Sequence, residues 1–152
     1  MKSHIEVMAQ RILLLVKMDG ASLFARVKER KNEYLGIFAI KRTRKHFDDI
    51  FFNRYRDVTI KELVHCPEEC LVAIDQFYNA VEKMQWYLNG TEDMPATVED
   101  KINRKIKEIE TLFYTMGLYI DAELNPQLAE EVVTEEPTFQ LSEEDNDHFV
   151  QD

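Results

Sequence analysis

Two stripes of apolar side chains mark the second half of the chain. In each stripe most apolar positions recur at steps of three or four, which is the spacing of one buried face of an α-helix. Because only the short segment 90–96 separates the stripes, we expect two antiparallel helices that form a hairpin. The first stripe consists of Leu71, Ile74, Phe77, Tyr78, Val81, Met84 and Leu88, and the second of Val98, Ile102, Ile106, Ile109, Phe113, Met116 and Ile120.

Local signals indicate where these two helices begin and end. Pro67 suits the first position of a helix, where no backbone N–H is needed, and Gly90 suits the left-handed residue that ends one. Thr97 and Asp100 resemble a capping box, which satisfies free N–H groups at a helix start. The pattern therefore predicts that the second helix begins at Thr97.

The N-terminal region fits two interpretations. Apolar residues at positions 5, 8, 12 and 15 have helical spacing, which favours a helix from about His4 to Met18 that ends at Asp19-Gly20. The Asp-Gly pair is also a strong signal for a tight β-hairpin, and apolar residues flank it on both sides. We take the helix as the prediction and keep a β-hairpin around Asp19-Gly20, packed on helices, as the alternative.

Residues 22–55 are mostly good helix formers. Ser22 suits a helix N-cap, so we predict one long or broken helix here, followed by a short helical turn over Ile60–His65. The chain contains only 4 Gly and 4 Pro, too few for the frequent turns of a β-sandwich or barrel. The predicted fold is all-α, an irregular bundle of four to five helices.

Charge is divided unevenly between the two halves of the chain. Residues 1–66 carry 14 Lys or Arg against 8 Asp or Glu, whereas residues 67–152 carry 5 against 21. From Asp121 onward there are 11 acidic residues and no Lys or Arg. Such a segment buries too little apolar surface to fold by itself. We therefore predict a helical domain over 1–124 and a disordered acidic tail over 125–152.

The sequence shows no feature that points to a membrane or to export. The longest apolar run near the N-terminus, Ile12–Val16, is far shorter than the roughly 20 residues that span a bilayer. The charges around it also fit a cleaved signal peptide badly. With two cysteines and no export signal, we expect reduced thiols. We therefore expect a cytoplasmic protein without a membrane partner.

Candidate chemistry is sparse. His65, Cys66 and Cys70 are residue types that bind zinc, yet a fourth ligand is missing nearby. Neither a Gly-x-Ser-x-Gly motif nor a phosphate-binding glycine loop occurs in the sequence. We therefore expect no metal, no cofactor and no enzymatic activity. The alternative is a helical metal- or nucleotide-handling enzyme whose site residues are dispersed along the chain.

A basic segment offers one candidate binding surface. Positions 26, 30, 41 and 44 fall on one arc if residues 22–55 form a single helix. The segment 26–45 raises a nucleic-acid-associated protein as a further alternative, which the net charge of −10 opposes. The candidate residues are Arg26, Arg30, Lys41, Arg42, Arg44 and Lys45.

Apolar side chains within the acidic tail offer a second candidate binding element. Such groups anchor in a partner's pockets while the carboxylates steer the tail toward a basic surface. The favoured function is therefore a non-enzymatic protein-protein interaction or regulatory module. Its bundle docks one partner, and its tail engages a basic protein or its own residues 26–45; an acidic inhibitor of the immunity or polyanion-mimic kind is one version. The tail candidates are Phe139, Leu141, Glu143, Glu144 and Phe149.

Overall fold

The computed structural model describes residues 2–40 and 44–126. These described residues form α-helices and two short 3₁₀ turns and contain no β-strand, which confirms the predicted all-α fold. The 3₁₀ turns lie at Lys45–Phe47 and Tyr55–Asp57. The α-helices are α1 (His4–Glu29), α2 (Lys31–Ile40), α3 (Asp48–Phe51), α4 (Ile60–Leu63), α5 (Glu68–Gly90) and α6 (Pro95–Leu124).

Helices α5 and α6 form the predicted antiparallel hairpin. At one end of the hairpin, the Cys70 thiol donates to the backbone oxygen of Tyr119 at 3.5 Å. At the other end, the Asp93 carboxylate accepts hydrogen bonds from the Tyr87 hydroxyl and from Lys101, both at 3.0 Å. The contacts at the two ends show that the helices run side by side over their whole length.

The start of α6 and the end of α5 differ from the prediction. Met94 is the N-cap of α6 and Pro95 is its first residue, so the predicted capping box at Thr97 lies inside the helix and is wrong. Pro95 suits this position because its missing N–H would have had no helical partner. Gly90 is still helical, and no described glycine has a positive φ, so the predicted left-handed end of α5 is also wrong.

Helix α1 is continuous from His4 to Glu29. It begins with a capping box in which the Glu6 N–H donates to Ser3 Oγ at 3.2 Å and the Ser3 N–H donates to Glu6 Oε2 at 3.1 Å. The predicted helix end at Met18 and the alternative β-hairpin around Asp19-Gly20 are therefore both wrong. Tertiary contact overrides the local turn signal.

Gly20 shows why the helix passes through this pair. A Cβ atom built at Gly20 would lie 2.7 Å from Met116 Cε of α6 and 3.4 Å from Phe77 Cε1 of α5. The glycine therefore leaves room for the terminal methyl group of Met116 where α1 packs on the hairpin, and Gly20 is buried in that contact. Burial of the surrounding apolar surface outweighs the roughly 1 kcal/mol by which glycine disfavours a helix interior.

The region predicted as one long or broken helix over 22–55 is broken. Helix α1 ends at Glu29, α2 follows at Lys31, and the chain then passes through α3. Ser22 is not a cap, because it lies within α1, where its Oγ accepts a hydrogen bond from Arg26 Nη1 at 3.2 Å. The arc of basic residues on a single helix is consequently wrong, since the residues lie on different elements.

The core lies where α1 meets the α5–α6 hairpin. The ring of Phe113 on α6 stacks on Phe24 of α1, with centroids 4.6 Å apart, and contacts Phe77 of α5 at 5.7 Å. Helix α1 runs antiparallel to α6, because Lys17 pairs with Asp121 and Lys28 Nζ lies 2.8 Å from Glu110 Oε2. Three long helices thus enclose the core, and the short elements 44–63 pack against it.

The predicted division at residue 124 coincides with the last residue of α6. Of the predicted tail, only Asn125 and Pro126 are described; Phe139, Leu141, Glu143, Glu144 and Phe149 lie outside the described residues, as do Lys41 and Arg42. Among the helices that the structure describes, none is both long and apolar enough to cross a membrane.

The contact at Gly20 predicts opposite effects for two glycine substitutions. Gly20→Val places a branched side chain against Met116 and Phe77, so we expect the free energy of unfolding to fall by about 1–3 kcal/mol. Gly117→Ala is the matched control in α6, where nothing lies within 4 Å of an added Cβ, and we expect a gain of up to about 1 kcal/mol. Urea denaturation measures both. A neutral Gly20→Val would show that the close helix approach is not required.

Candidate docking groove

A groove of about 560 Å³ lies between α1 and the segment that follows α3. We call it the α1 groove. Its two walls come from residues far apart in sequence, because the segment 52–58 crosses beside the middle of α1. Helix α1 contributes Leu15, Val16, Met18, Asp19, Ser22 and Arg26, and the crossing segment contributes Phe52, Arg54, Tyr55, Asp57 and Val58.

Asp19 holds one end of the crossing segment. Its carboxylate accepts a hydrogen bond from the backbone N–H of Arg54 at 2.8 Å and another from the hydroxyl of Tyr78 at 2.7 Å. Burial, and then the hydrogen bond to Asp19, raise the pKa of the Tyr78 phenol far above its ordinary value, so the hydroxyl remains a donor. One carboxylate therefore joins α1, α5 and the crossing segment.

Arg26 also holds the start of the crossing segment. Its guanidinium donates to the backbone oxygens of Ile50, at 3.1 Å, and of Phe52. These carbonyls lie at the end of α3, where a helix of only four residues leaves backbone acceptors without helical partners. Partial burial lowers the pKa of Arg26 from its ordinary value, and the Asp19 carboxylate opposes that shift. Arginine stays charged in proteins, so the cation is retained.

Aromatic contacts fix two side chains that line the groove. The ring of Tyr55 stacks on that of Tyr78, with centroids 4.1 Å apart and planes 13° from parallel. The guanidinium of Arg26 lies over the ring of Phe52, 5.0 Å from its centroid, which is within the range of a cation–π contact. Phe52 and Tyr55 are thus fixed by contacts within the protein.

Large apolar side chains at the groove are exposed to solvent. Leu15 is 58% exposed, Met18 is 61% exposed and Phe52 is 50% exposed. Leu13 and Val16 beside them are buried, so the apolar residues of this part of α1 extend from the core to the surface. An exposed apolar patch on a protein surface commonly marks a site of interaction.

Charged side chains surround the α1 groove. Arg54 and Asp57 are exposed and line it, Arg56 lies between them on the crossing segment, Lys61 lies on α4, and Arg11 lies one helical turn before Leu15. All four cations are exposed. Within the described residues, no ion pair or side-chain hydrogen bond engages any of these four side chains. The groove therefore combines an apolar interior with exposed charges, among which these four cations outnumber Asp57, the exposed carboxylate of the lining.

The structure separates the basic residues that the sequence grouped together. Arg26 lies in the α1 groove, whereas Arg30 pairs with Glu33 on α2, with Arg30 Nη2 2.6 Å from Glu33 Oε1. Arg44 donates to the backbone oxygen of Thr91 at 3.1 Å and lies over the ring of Phe38 at 4.3 Å. Lys45 is exposed in the first 3₁₀ turn.

Most residues of the groove could not be recognised from sequence patterns. Leu15, Met18 and Phe52 were not candidates, because helical periodicity assigns apolar residues to the core. One signal was present: the five consecutive apolar residues of Ile12–Val16 exceed what a single helix face accommodates, so some of them had to point to solvent or to a partner.

The weak metal candidates do not converge on one point. His65 is exposed, whereas Cys66 and Cys70 are buried free thiols. The Cys66 thiol donates to the backbone oxygen of Ala9, with sulfur and oxygen 3.9 Å apart, and the Cys70 thiol is directed to α6. No group of three metal-binding side chains occurs among the residues that the structure describes. Both thiols serve as packing groups between helices.

Comparisons with known proteins add no relative. The chain matches no protein-family model, and neither the curated proteins nor the solved structures contain a significant match to it. The candidate site is therefore argued from its own geometry.

The hydrogen bond between Tyr78 and Asp19 predicts a specific loss of stability. We expect Tyr78→Phe to lower the free energy of unfolding by about 1–2 kcal/mol, because Asp19 loses a donor in a partly buried position. Tyr119→Phe is the control, since that hydroxyl forms no hydrogen bond within the described residues and its side chain is exposed. Thermal unfolding of both variants measures the difference. Equal unfolding temperatures for the two variants would show that the hydrogen bond from Tyr78 to Asp19 does not stabilise the groove.

The environment of the two thiols predicts slow chemical modification. Burial, followed by the charge of Glu123, raises the pKa of Cys70 to about 11, and the same two causes raise the pKa of Cys66. The reactive thiolate is therefore scarce at pH 8. We expect the native protein to react with a disulfide reagent much more slowly than the urea-unfolded protein, in which both thiols react. Rapid labelling of the native protein would contradict this burial.

Proposed function

We propose that the protein is a non-enzymatic protein-binding module whose α1 groove holds an apolar segment of a partner protein flanked by acidic residues. The observation that carries the proposal is the preformed groove, in which exposed Leu15, Met18 and Phe52 surround an interior fixed by Asp19 and Arg26.

The apolar side chains supply the affinity in this proposal. Full burial of a large apolar side chain contributes roughly 1.5–3 kcal/mol, and Leu15, Met18 and Phe52, each about half exposed, retain about half of that for a partner. The crossing segment is already anchored to α1 by hydrogen bonds, so little conformational entropy is lost when the groove is filled. A short segment with two or three apolar anchors matches this surface.

The unpaired cations determine which apolar segment is preferred. Carboxylates beside the apolar anchors approach Arg11, Arg54, Arg56 and Lys61, and this complementarity raises the association rate and disfavours basic partners. A segment flanked by lysines meets like charge at the same rim. The preferred partner therefore has Asp or Glu on either side of its apolar residues.

The acidic region 127–152 is the second element of the proposal. It carries carboxylates and no Lys or Arg, which suits a basic protein surface, and we propose the cytoplasm as the location of the protein. The alternatives were an enzyme with dispersed site residues and a nucleic-acid-associated protein using 26–45. Neither is favoured by the contacts described above, because Arg26, Arg30 and Arg44 are each engaged within the fold.

Selection from a displayed library of random peptides on the immobilised full-length protein tests the proposal. We expect enrichment of peptides with two closely spaced aromatic or aliphatic residues flanked by Asp or Glu. The double substitution Leu15→Glu with Met18→Glu should abolish their binding, because it places carboxylates in the apolar interior and faces acidic peptides with like charge.

A matched control on another helix separates docking from stability. Val72→Glu changes a side chain on α5 that is 50% exposed, and it adds a single negative charge away from the groove, half of what the groove variant adds. We expect this variant to retain the selected peptides and the groove variant to unfold at a similar temperature. The proposal fails if no peptide is enriched, or if the enriched peptides bind the groove variant as well as the unchanged protein.

A further inference from the structure

We infer that residues 137–144 of the same chain occupy the α1 groove and compete there with the partner segment. This inference rests on the proposed function and adds its regulation. The apolar residues of the acidic tail thus have a binding site within the protein itself.

The chemistry of residues 137–144 matches what the groove selects. Phe139 and Leu141 are two residues apart, so in an extended segment they point to the same side. Pro137 disfavours a helix that would enter from the preceding residues. Glu143 and Glu144 follow directly, which gives two apolar anchors with carboxylates beside them. The groove offers the complement: an apolar interior at Leu15, Met18 and Phe52, with cations around it.

The exit point of the tail allows this contact. Pro126, the last described residue, shares a small cleft with Ala9 and Leu13 of α1 and with His65. From Ala9 to Arg26, at the far end of the groove, is about 25 Å along α1, and passing from one side of the helix to the other adds roughly 10 Å. The chain from Pro126 to Phe139 extends to about 43 Å, so the segment reaches every part of the groove.

Tethering favours the internal ligand over an external one. A segment attached to the same chain by a short linker is present at an effective concentration in the millimolar range, so weak contacts are sufficient for occupancy. The carboxylates of the tail also face the unpaired cations at the rim, and this part of the attraction weakens as salt is added. A partner must therefore displace the tail, so the tail both covers the apolar surface and regulates binding to it.

Competition with a peptide copy of the tail tests the inference in the full-length protein. The probe is a fluorescent peptide of residues 135–146, and its binding is measured by anisotropy. We expect Phe139→Ser with Leu141→Ser to raise the affinity for the peptide about tenfold over the unchanged protein, because an internal competitor that occupies the groove nine-tenths of the time lowers the apparent affinity by that factor. High salt should reduce the difference.

Two further variants show where the peptide and the tail bind. Val132→Ser with Val133→Ser removes two other apolar side chains of the acidic region, and we expect it to behave like the unchanged protein. Adding Leu15→Glu and Met18→Glu to the tail variant should abolish peptide binding. The inference is overturned if the peptide binds the unchanged protein and the tail variant equally, or binds neither.

Sedimentation distinguishes a tail that binds the groove of its own chain from a tail that binds the groove of a second copy. A monomer at all concentrations is expected for a tail that folds back on its own groove. Dimerisation that disappears with Phe139→Ser and Leu141→Ser would assign the segment to the groove of a second copy and overturn the inference.

If displayed peptides are enriched while the tail peptide binds neither protein, only the regulation is wrong. If no peptide is enriched on the unchanged protein or on the tail variant, the proposed function itself fails.

Discussion

The close approach of α1 to the α5–α6 hairpin at Gly20 is the constraint on which the rest of the structure depends. Because Gly20 has no side chain, Met116 and Phe77 fill that space, and α1 continues through a residue pair that commonly ends a helix. The continuity has a consequence outside the core. Asp19 and Arg26 are seven residues apart and share one face only while the helix is unbroken. That shared face is what holds the crossing segment.

The two charged residues of this face explain why the groove is apolar. Asp19 is directed at the backbone N–H of Arg54, and Arg26 at the carbonyls of Ile50 and Phe52. Their charges satisfy backbone groups that the short helix α3 and the irregular chain after it leave without partners. Leu15 and Met18 precede Asp19 on the outer side of α1 and have no such role in the fold. Stability therefore accounts for the polar residues of the groove, whereas it does not account for the exposed apolar ones, which are the basis of the proposed docking.

Features that depend on residues close together in the sequence could be predicted, whereas features that depend on distant residues could not. The stripes on α5 and α6 are local repeats, so the hairpin could be predicted from the sequence. The end of α1 could not be predicted, because the space at Gly20 is filled by Met116, which lies almost a hundred residues away. The groove was also beyond local patterns, since Asp19 meets Arg54 only after the chain has folded back. The break after Glu29 has a similar origin: Tyr34 is buried and donates to the carbonyl of Val27 at 2.7 Å, a contact that favourable helix propensity over 22–55 does not reveal.

An apolar groove that is open in the absence of a partner presents a physical conflict. The side chains that give affinity for a partner also favour aggregation while they remain exposed. A tethered segment resolves the conflict when its own binding is intermediate. If it bound too weakly, Leu15 and Met18 would stay in water, and if it bound too tightly, no partner at ordinary concentration would displace it. Two apolar anchors, Phe139 and Leu141, on an acidic tether suit that intermediate strength, because each added anchor would multiply the occupancy that a partner has to overcome.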